Sequence, residues 1–146
     1  MVHMVDVAHG LLARELRDDP RIRWREGCDI RLLDPCDINP RAQLLTVDCA
    51  FVSLALLFPA LRRFSPPARG VLALVKPQFE LGPGVVDGRG VVRSSEARRE
   101  ALARVMDAAR EVGFVPRRAF RSPVTGREGN VEYFVWFEPS SVGGDA

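Results

Sequence analysis

The sequence predicts an α/β fold centred on a short parallel sheet, and three features carry the prediction. Leu44 to Val47 and Val71 to Val75 are short, continuously apolar, β-prone runs, and between them Phe51 to Phe64 reads as a leucine-rich helix. Strand, helix, strand in that order, with both strands apolar throughout, is the pattern of a parallel sheet covered by helices on both faces. A charged residue closes each strand, Asp48 the first and Lys76 the second. The carboxyl ends of such strands line one edge of the sheet, where ligands bind, so Asp48 and Lys76 belong to one rim.

The elements follow in chain order. Val2, Met4, Val5 and Val7 bracket Asp6 in a strand that ends on a carboxylate. A helix is predicted from about Leu11 to Arg17, closed by Asp18-Asp19-Pro20. Arg21 to Arg25 alternates Ile22 and Trp24 with arginine, as a half-exposed edge strand does. From Glu26 to Arg41 the periodicity fades, and Asp34-Pro35 and Asn39-Pro40 mark turns. Pro59 inside the Phe51 to Phe64 segment implies a kink or a late helix start, and Ser65-Pro66-Pro67 ends it.

After Lys76, a glycine-rich passage from Leu81 to Val92 leads to the clearest helix of the chain. Ser94 or Ser95 caps it, Glu96 favours its amino-terminal dipole, Leu102, Val105, Ala109 and Val112 recur at helical spacing, and Gly113 stops it. Phe114 to Phe120 is a strand. Beyond the turn-rich SPVTGREGN, Val131 to Phe137 is a second strand, apolar on both faces apart from Glu132 and therefore interior, and a loop of that length allows an antiparallel pair. The organisation expected is one domain over 1–139 and a polar, fraying tail over 140–146.

Composition bounds the function. A chain of 146 residues that is 47% hydrophobic buries one real core, and a net charge of +2 permits nucleic acid as partner without demanding it. Cys28, Cys36 and Cys49 are odd in number and lack CxxC spacing, so neither a disulfide framework nor a zinc site is indicated, and no metal is expected. The longest apolar run, Phe51 to Leu61, falls short of the roughly 20 residues a membrane-spanning helix needs. A cytoplasmic protein without membrane contact is expected.

Lys76 is the only lysine among 21 basic residues. An ammonium on a compact head can give up a proton when desolvated, which guanidinium cannot. Asp48, Lys76 and Glu132 each stand at the end or start of an apolar strand, where an unpaired buried charge is costly, so grouping them offsets that cost. Two readings stay open on the pattern alone. In one, Lys76 accepts or orients the proton of a substrate hydroxyl with Asp48 and Glu132 positioning it; in the other, the three form a structural ion-pair network.

The segments VDVAHGLLARELRDDPRI, EGCDIRLL, LLTVDCAFVSL, LVKPQFE, GVVR and SPVTGREGNVEYFVWF carry a resemblance from Val2 to about Phe137. In order and spacing they resemble the TlyA-type family, called hemolysins but acting as ribosomal RNA 2′-O-methyltransferases of the FtsJ-like, S-adenosylmethionine-dependent group. KPQFE and the S-P-x-x-G-x-x-G-N-x-E string are the specific parts. The resemblance implies a Rossmann-like class I methyltransferase sheet and a Lys-Asp-Lys-Glu tetrad transferring methyl to a ribose 2′-hydroxyl. Three members map onto Asp48, Lys76 and Glu132. Asp6 matches the acidic residue that holds the ribose hydroxyls of S-adenosylmethionine, and Asp29 falls near the adenine where the family often has asparagine. Asp48 also borders the cofactor. Cys49-Ala50 departs from the usual Val-Ser before Phe51.

The same resemblance implies that the family's S4-type RNA-binding domain, first tetrad lysine, first strand and glycine-rich turn have no counterpart here. That strand sits between the second and fourth, so the sheet is expected to open in the middle and expose unpaired backbone. A late start codon, a gene remnant, or completion by a partner or by self-association through the gap would each explain this. With no GxGxxG-like turn, weak or absent cofactor binding by this chain alone is expected. An alternative of another class is a non-catalytic RNA-binding or interaction remnant, with Arg62, Arg63, Arg69, Arg117, Arg118, Arg121 and Arg127 contacting phosphate. A membrane-active reading, suggested by the hemolysin name, lacks a spanning or strongly amphipathic cationic segment.

Overall fold

The computed structural model describes residues 1–65 and 68–140; the Pro66-Pro67 helix stop and most of the expected tail, 141–146, lie outside the described residues. The strands fall into two sheets, a pair ordered β1-β2 and a four-stranded sheet ordered β3-β4-β6-β5. β1 (Val2–Val5) pairs in parallel with β2 (Ile22–Arg25), and β3 (Leu45–Val47) in parallel with β4 (Val71–Val75). β6 (Tyr133–Pro139) runs antiparallel between β4 and β5 (Phe114–Arg121). β1 and β3 are edge strands of their sheets among the described residues. Register slips between Pro116 and Arg118, where proline has no N–H to give the ladder.

The core lies on one face of the larger sheet. Val71, Ala73 and Val75 of β4 and Val135 and Phe137 of β6 are wholly buried against α2 (Phe58–Arg62) and α4 (Ser95–Glu111). At its centre the Phe58 ring meets Phe137 at 4.9 Å and Phe114 at 5.9 Å. Ser94 caps α4, its Oγ accepting from the N–H groups of Glu96 and Ala97. Another cluster, of Leu33, Ile38 and Phe64, packs with Val5 of β1 and Leu45 of β3 and so joins the two sheets. Arg63 strengthens that joint by donating to the carbonyls of Ile30, Arg31 and Leu33.

Two helices differ from the sequence pattern. The Leu11 to Arg17 segment keeps one turn, α1 (Arg14–Arg17), because Gly10 turns left-handed at φ 74° and Glu26 holds the Leu12 N–H and the Arg17 guanidinium. Phe51 to Phe64 splits into a 3-10 turn, Leu54–Leu56, and α2, with Pro59 in the first turn of α2, where its missing N–H is harmless. KPQFE also contains a turn the strand pattern hid, α3 (Pro77–Glu80).

Candidate active site

Strand ends bring the charges together. β3 and β4 are parallel, so Asp48 and Lys76 leave the sheet at the same edge, and Lys76 Nζ lies 2.6 Å from Asp48 Oδ1. The lysine side chain is 15% exposed and the aspartate 69%, so the cation is largely withdrawn while the carboxylate still faces water. β6 is antiparallel to β4 with Val75 opposite Tyr133, and one step along that register sets Glu132 opposite Lys76. Glu132 is buried, and its Oε1 accepts from Gln78 Nε2 at 3.0 Å. Among the described residues no ion pair joins it to Lys76. The three residues thus share one rim, with direct contact only between Asp48 and Lys76.

The turn before β6 is shaped around Glu132. Gly126 lies directly against the Glu132 carboxylate, a space any Cβ would fill, and Glu128 and Gly129 take consecutive left-handed conformations at φ 57° and 87°. Asn130, 4% exposed, accepts from the Val92 N–H at 3.1 Å and donates to the carbonyls of Gly90 and Arg127. It therefore clamps the glycine-rich passage onto the turn that presents Glu132. Gly126→Ala is expected to drive the carboxylate off Gln78 and, on the proposal below, to lower methyl transfer about a hundredfold, as small misplacements at reacting centres do. Unchanged transfer in a folded variant would mean that Glu132 needs no such placement.

The glycine-rich passage has its own anchor in Asp87, which accepts from the N–H groups of Arg89 and Val91 and from Arg93 Nε, each at 2.8–2.9 Å. Those donors, the Val91 amide first, lower its carboxyl from 3.8 to about 2. A depressed folded-state value stabilises the fold above the unfolded pKa of 3.8 and ceases to do so as pH falls through about 2. The gap in melting temperature between the native chain and Asp87→Asn should therefore be open at neutral pH and close between about pH 4 and pH 2 in paired thermal melts. A gap that stays constant over that range would remove Asp87 as the anchor.

The rim is braced from below by Glu80, the last residue of KPQFE. Buried at 8% exposure, it accepts from Ser53 Oγ at 2.5 Å and from the Leu54 N–H at 3.0 Å, and burial pushes its carboxyl up. This bolts the segment after Asp48 to the segment after Lys76. Phe51 stands between them in the left-handed region at φ 62°, its side chain 89% exposed and its ring 5.1 Å from that of Phe79. A non-glycine aromatic in that conformation is uncommon, so no sequence signal marked it. Gln78 and Asn130 were visible only as members of the KPQFE and SPVTGREGN strings.

Burial and then Asp48 raise the Cys49 thiol, and Lys76 opposes them. Asp6 ends β1, exposed, with Oδ1 accepting from the Ala8 N–H at 2.8 Å, beside a cleft of about 190 Å³ lined by Met4, Leu11, Leu12 and Trp24. Asp29 is differently placed: Arg31 takes both its oxygens, the closer contact at 2.6 Å, and that pairing holds its carboxyl below the usual range. Of the arginines read as phosphate contacts, Arg62 donates to the Ser65 carbonyl, Arg63 to three carbonyls, and Arg117 pairs with Glu138. Among the described residues no cluster of His, Cys, Asp or Glu is placed to hold a metal ion, and no helix is long and apolar enough to cross a membrane.

The family model that matches residues 1–139 is that of the FtsJ-like methyltransferases, and the chain belongs to that family. Over 131 residues it is 40% identical to the 16S/23S rRNA (cytidine-2′-O)-methyltransferase TlyA of Mycobacterium tuberculosis, covering 90% of this chain and 49% of the relative. It is 29% identical over 134 residues to the 23S rRNA (cytidine-2′-O)-methyltransferase TlyA of Campylobacter jejuni, covering 91% and 51%. A solved hemolysin-type structure from Streptococcus thermophilus superposes with a TM-score of 0.88 at 34% identity, covering 97% of this chain and 51% of that one. The chain spans about half the length of the curated relatives it matches.

Proposed function

We propose that this chain carries the catalytic rim of an S-adenosylmethionine-dependent methyltransferase acting on a ribose 2′-hydroxyl of ribosomal RNA in the cytoplasm. The observation that carries the reading is the Lys76–Asp48 contact at 2.6 Å, at the sheet edge where Glu132 stands opposite Lys76, in a member of the FtsJ-like family. A ribose hydroxyl is a poor nucleophile, so the site must align it and relieve it of its proton as the new bond forms. Lys76 accepts or orients that proton, Asp48 holds the Lys76 head in place, and Glu132, set by Gln78 and Gly126, completes the polar wall. S-adenosylmethionine supplies the electrophilic methyl group.

The residues present fit that cofactor in part. Asp6 offers a carboxylate oxygen beyond the one used by Ala8, at the mouth of a cleft, and a ribose diol wants such an acceptor. Asp29 fits less well, because Arg31 already occupies its carboxylate. Phe51, exposed beside Asp48, is the natural platform for the base of the target nucleotide, since unpaired RNA bases stack on aromatic faces. The internal engagement of Arg62, Arg63 and Arg117 weakens the alternative of a purely phosphate-binding remnant.

The test is transfer of labelled methyl from S-adenosylmethionine to ribosomal RNA, followed by nucleoside analysis. Methyl on the 2′-oxygen supports the reading; methyl on a base, or none under conditions where the chain binds RNA and cofactor, contradicts it. Phe51→Ala should weaken transfer by about tenfold through RNA binding, consistent with roughly 1–3 kcal/mol per stacked base. Equal transfer by that variant would remove the stacking role.

A further inference from the structure

KPQFE sets its polar residues two apart, at Lys76, Gln78 and Glu80. Glu80 is held by Ser53 and Leu54, and Lys76 by Asp48. Gln78 is satisfied at one end only. Its Nε2 donates to Glu132 Oε1, whereas its Oε1 is shut off from solvent and meets no donor among the described residues. A buried carbonyl without a donor is costly, and native folds keep few of them. Turning the amide over does not help, because Oε1 would then face the Glu132 carboxylate, which only accepts.

The backbone brings a donor to the same place. Lys76 is extended at φ −113° and ψ 97°, so it continues the alternation of Leu72 and Leu74 to the face of the sheet opposite α4. Glu132 continues Phe134 and Trp136 to that face, its carbonyl accepting from the Ser122 N–H in register with the β5–β6 ladder. Opposed residues of an antiparallel pair start about 4.5–5.5 Å apart, so the lysine and the glutamate leave the sheet side by side. Glu132 nevertheless bonds Gln78, and the one ionic partner of Lys76 among the described residues is Asp48. An ammonium carries three N–H donors. Unspent donors and an unspent acceptor thus both stand next to Glu132.

We propose that Gln78 is a positioning residue that couples Lys76 to Glu132, its Nε2 holding the glutamate and its Oε1 seating a second N–H of the lysine. The seat sets direction. Held only by Asp48, whose carboxylate is 69% exposed, an ammonium on a flexible stem turns about its last bonds; held at two points, its remaining position is fixed in space. On the methyl-transfer reading, on which this consequence rests, that position faces the ribose hydroxyl, and Gln78 acts through Lys76 because Oε1 is too enclosed to meet the ribose itself. A carboxylate at position 78 would repel Glu132, and an apolar side chain would leave both neighbours without a partner, whereas an amide serves both.

Lys76 is the only lysine of the chain, and Gln78 is one of two glutamines; the other, Gln43, is exposed and precedes β3 at the end away from Asp48. Both groups can therefore be labelled without ambiguity. With 15Nζ-lysine and 13Cδ-glutamine in the 146-residue chain, dipolar recoupling on the frozen protein should place the Gln78 carbonyl carbon within about 4 Å of Lys76 Nζ, the span of an N–H···O=C bond. Gln78→Met should abolish that contact and let amine acylation of Lys76, read by mass spectrometry, run about tenfold faster, the worth of one lost hydrogen bond, while Gln43→Met changes neither. In transfer assays Gln78→Met should lower kcat by about tenfold to a hundredfold with KM within about twofold, as a misplaced group does. If that variant fails to fold, the distance in the native chain decides. A lysine nitrogen more than about 5 Å from the Gln78 carbonyl, acylation unchanged in a folded Gln78→Met, or a loss confined to KM would overturn the proposal. Distance and acylation need no turnover, so a contact found in a chain that forms no 2′-O-methyl product would contradict the proposed function and leave the coupling standing.

Discussion

Lys76→Arg is expected to lower methyl transfer by about two to four orders of magnitude, the range that a positioned proton-transfer group contributes. Arginine keeps the charge and the ion pair but has neither the compact head nor a proton it releases in this range of pH, so the substitution separates electrostatics from proton handling. The fold should tolerate it. Asp48 is 69% exposed, and a pair open to solvent at one end contributes little to stability. Thermal unfolding within a few degrees of the native chain, alongside lost transfer, is the predicted combination. Retained transfer would reduce Lys76 to a structural partner.

Phe58→Ala should have the largest effect on stability, about 3–5 kcal/mol, the usual loss for a buried aromatic cut back to a methyl. Its ring is fully buried and contacts both Phe114 and Phe137, so truncation opens a cavity where β5, β6 and α2 meet. The effect should reach the rim, because α2 and the preceding 3-10 turn carry the segment that Glu80 bolts beneath Asp48. Denaturant unfolding measures the loss, and a change below about 1 kcal/mol would show that the site collapses around the missing ring.

How far the fold was legible depended on whether local pattern and tertiary packing agreed. Val71 to Val75 and the helix from Ser94 to Gly113 were readable to the residue or nearly so, because apolar continuity, cap and stop coincide there. Leu11 to Arg17 had helical spacing but no cap, and Glu26, 14 residues from Leu12, decided its shape. The rim was legible in outline, since a charge at the end of an apolar run has few places to go. Its fine structure was not: that Glu132 is held by Gln78 and shaped by Gly126 depends on two segments, 54 residues apart at the Gln78 contact, meeting across β4 and β6. That Leu72 and Leu74 stay partly exposed was equally hidden, since they read as core residues of a sheet covered on both sides.

The most direct measurement replaces the acids and the amine of the rim singly and reads the same product. With Asp48→Asn, Lys76→Arg and Glu132→Gln each shown to be folded by circular dichroism, 2′-O-methylated nucleoside from ribosomal RNA should fall to background in all three while the native chain forms it. Product that persists at the native level in any two of them would contradict the claim that one rim of one sheet performs the transfer.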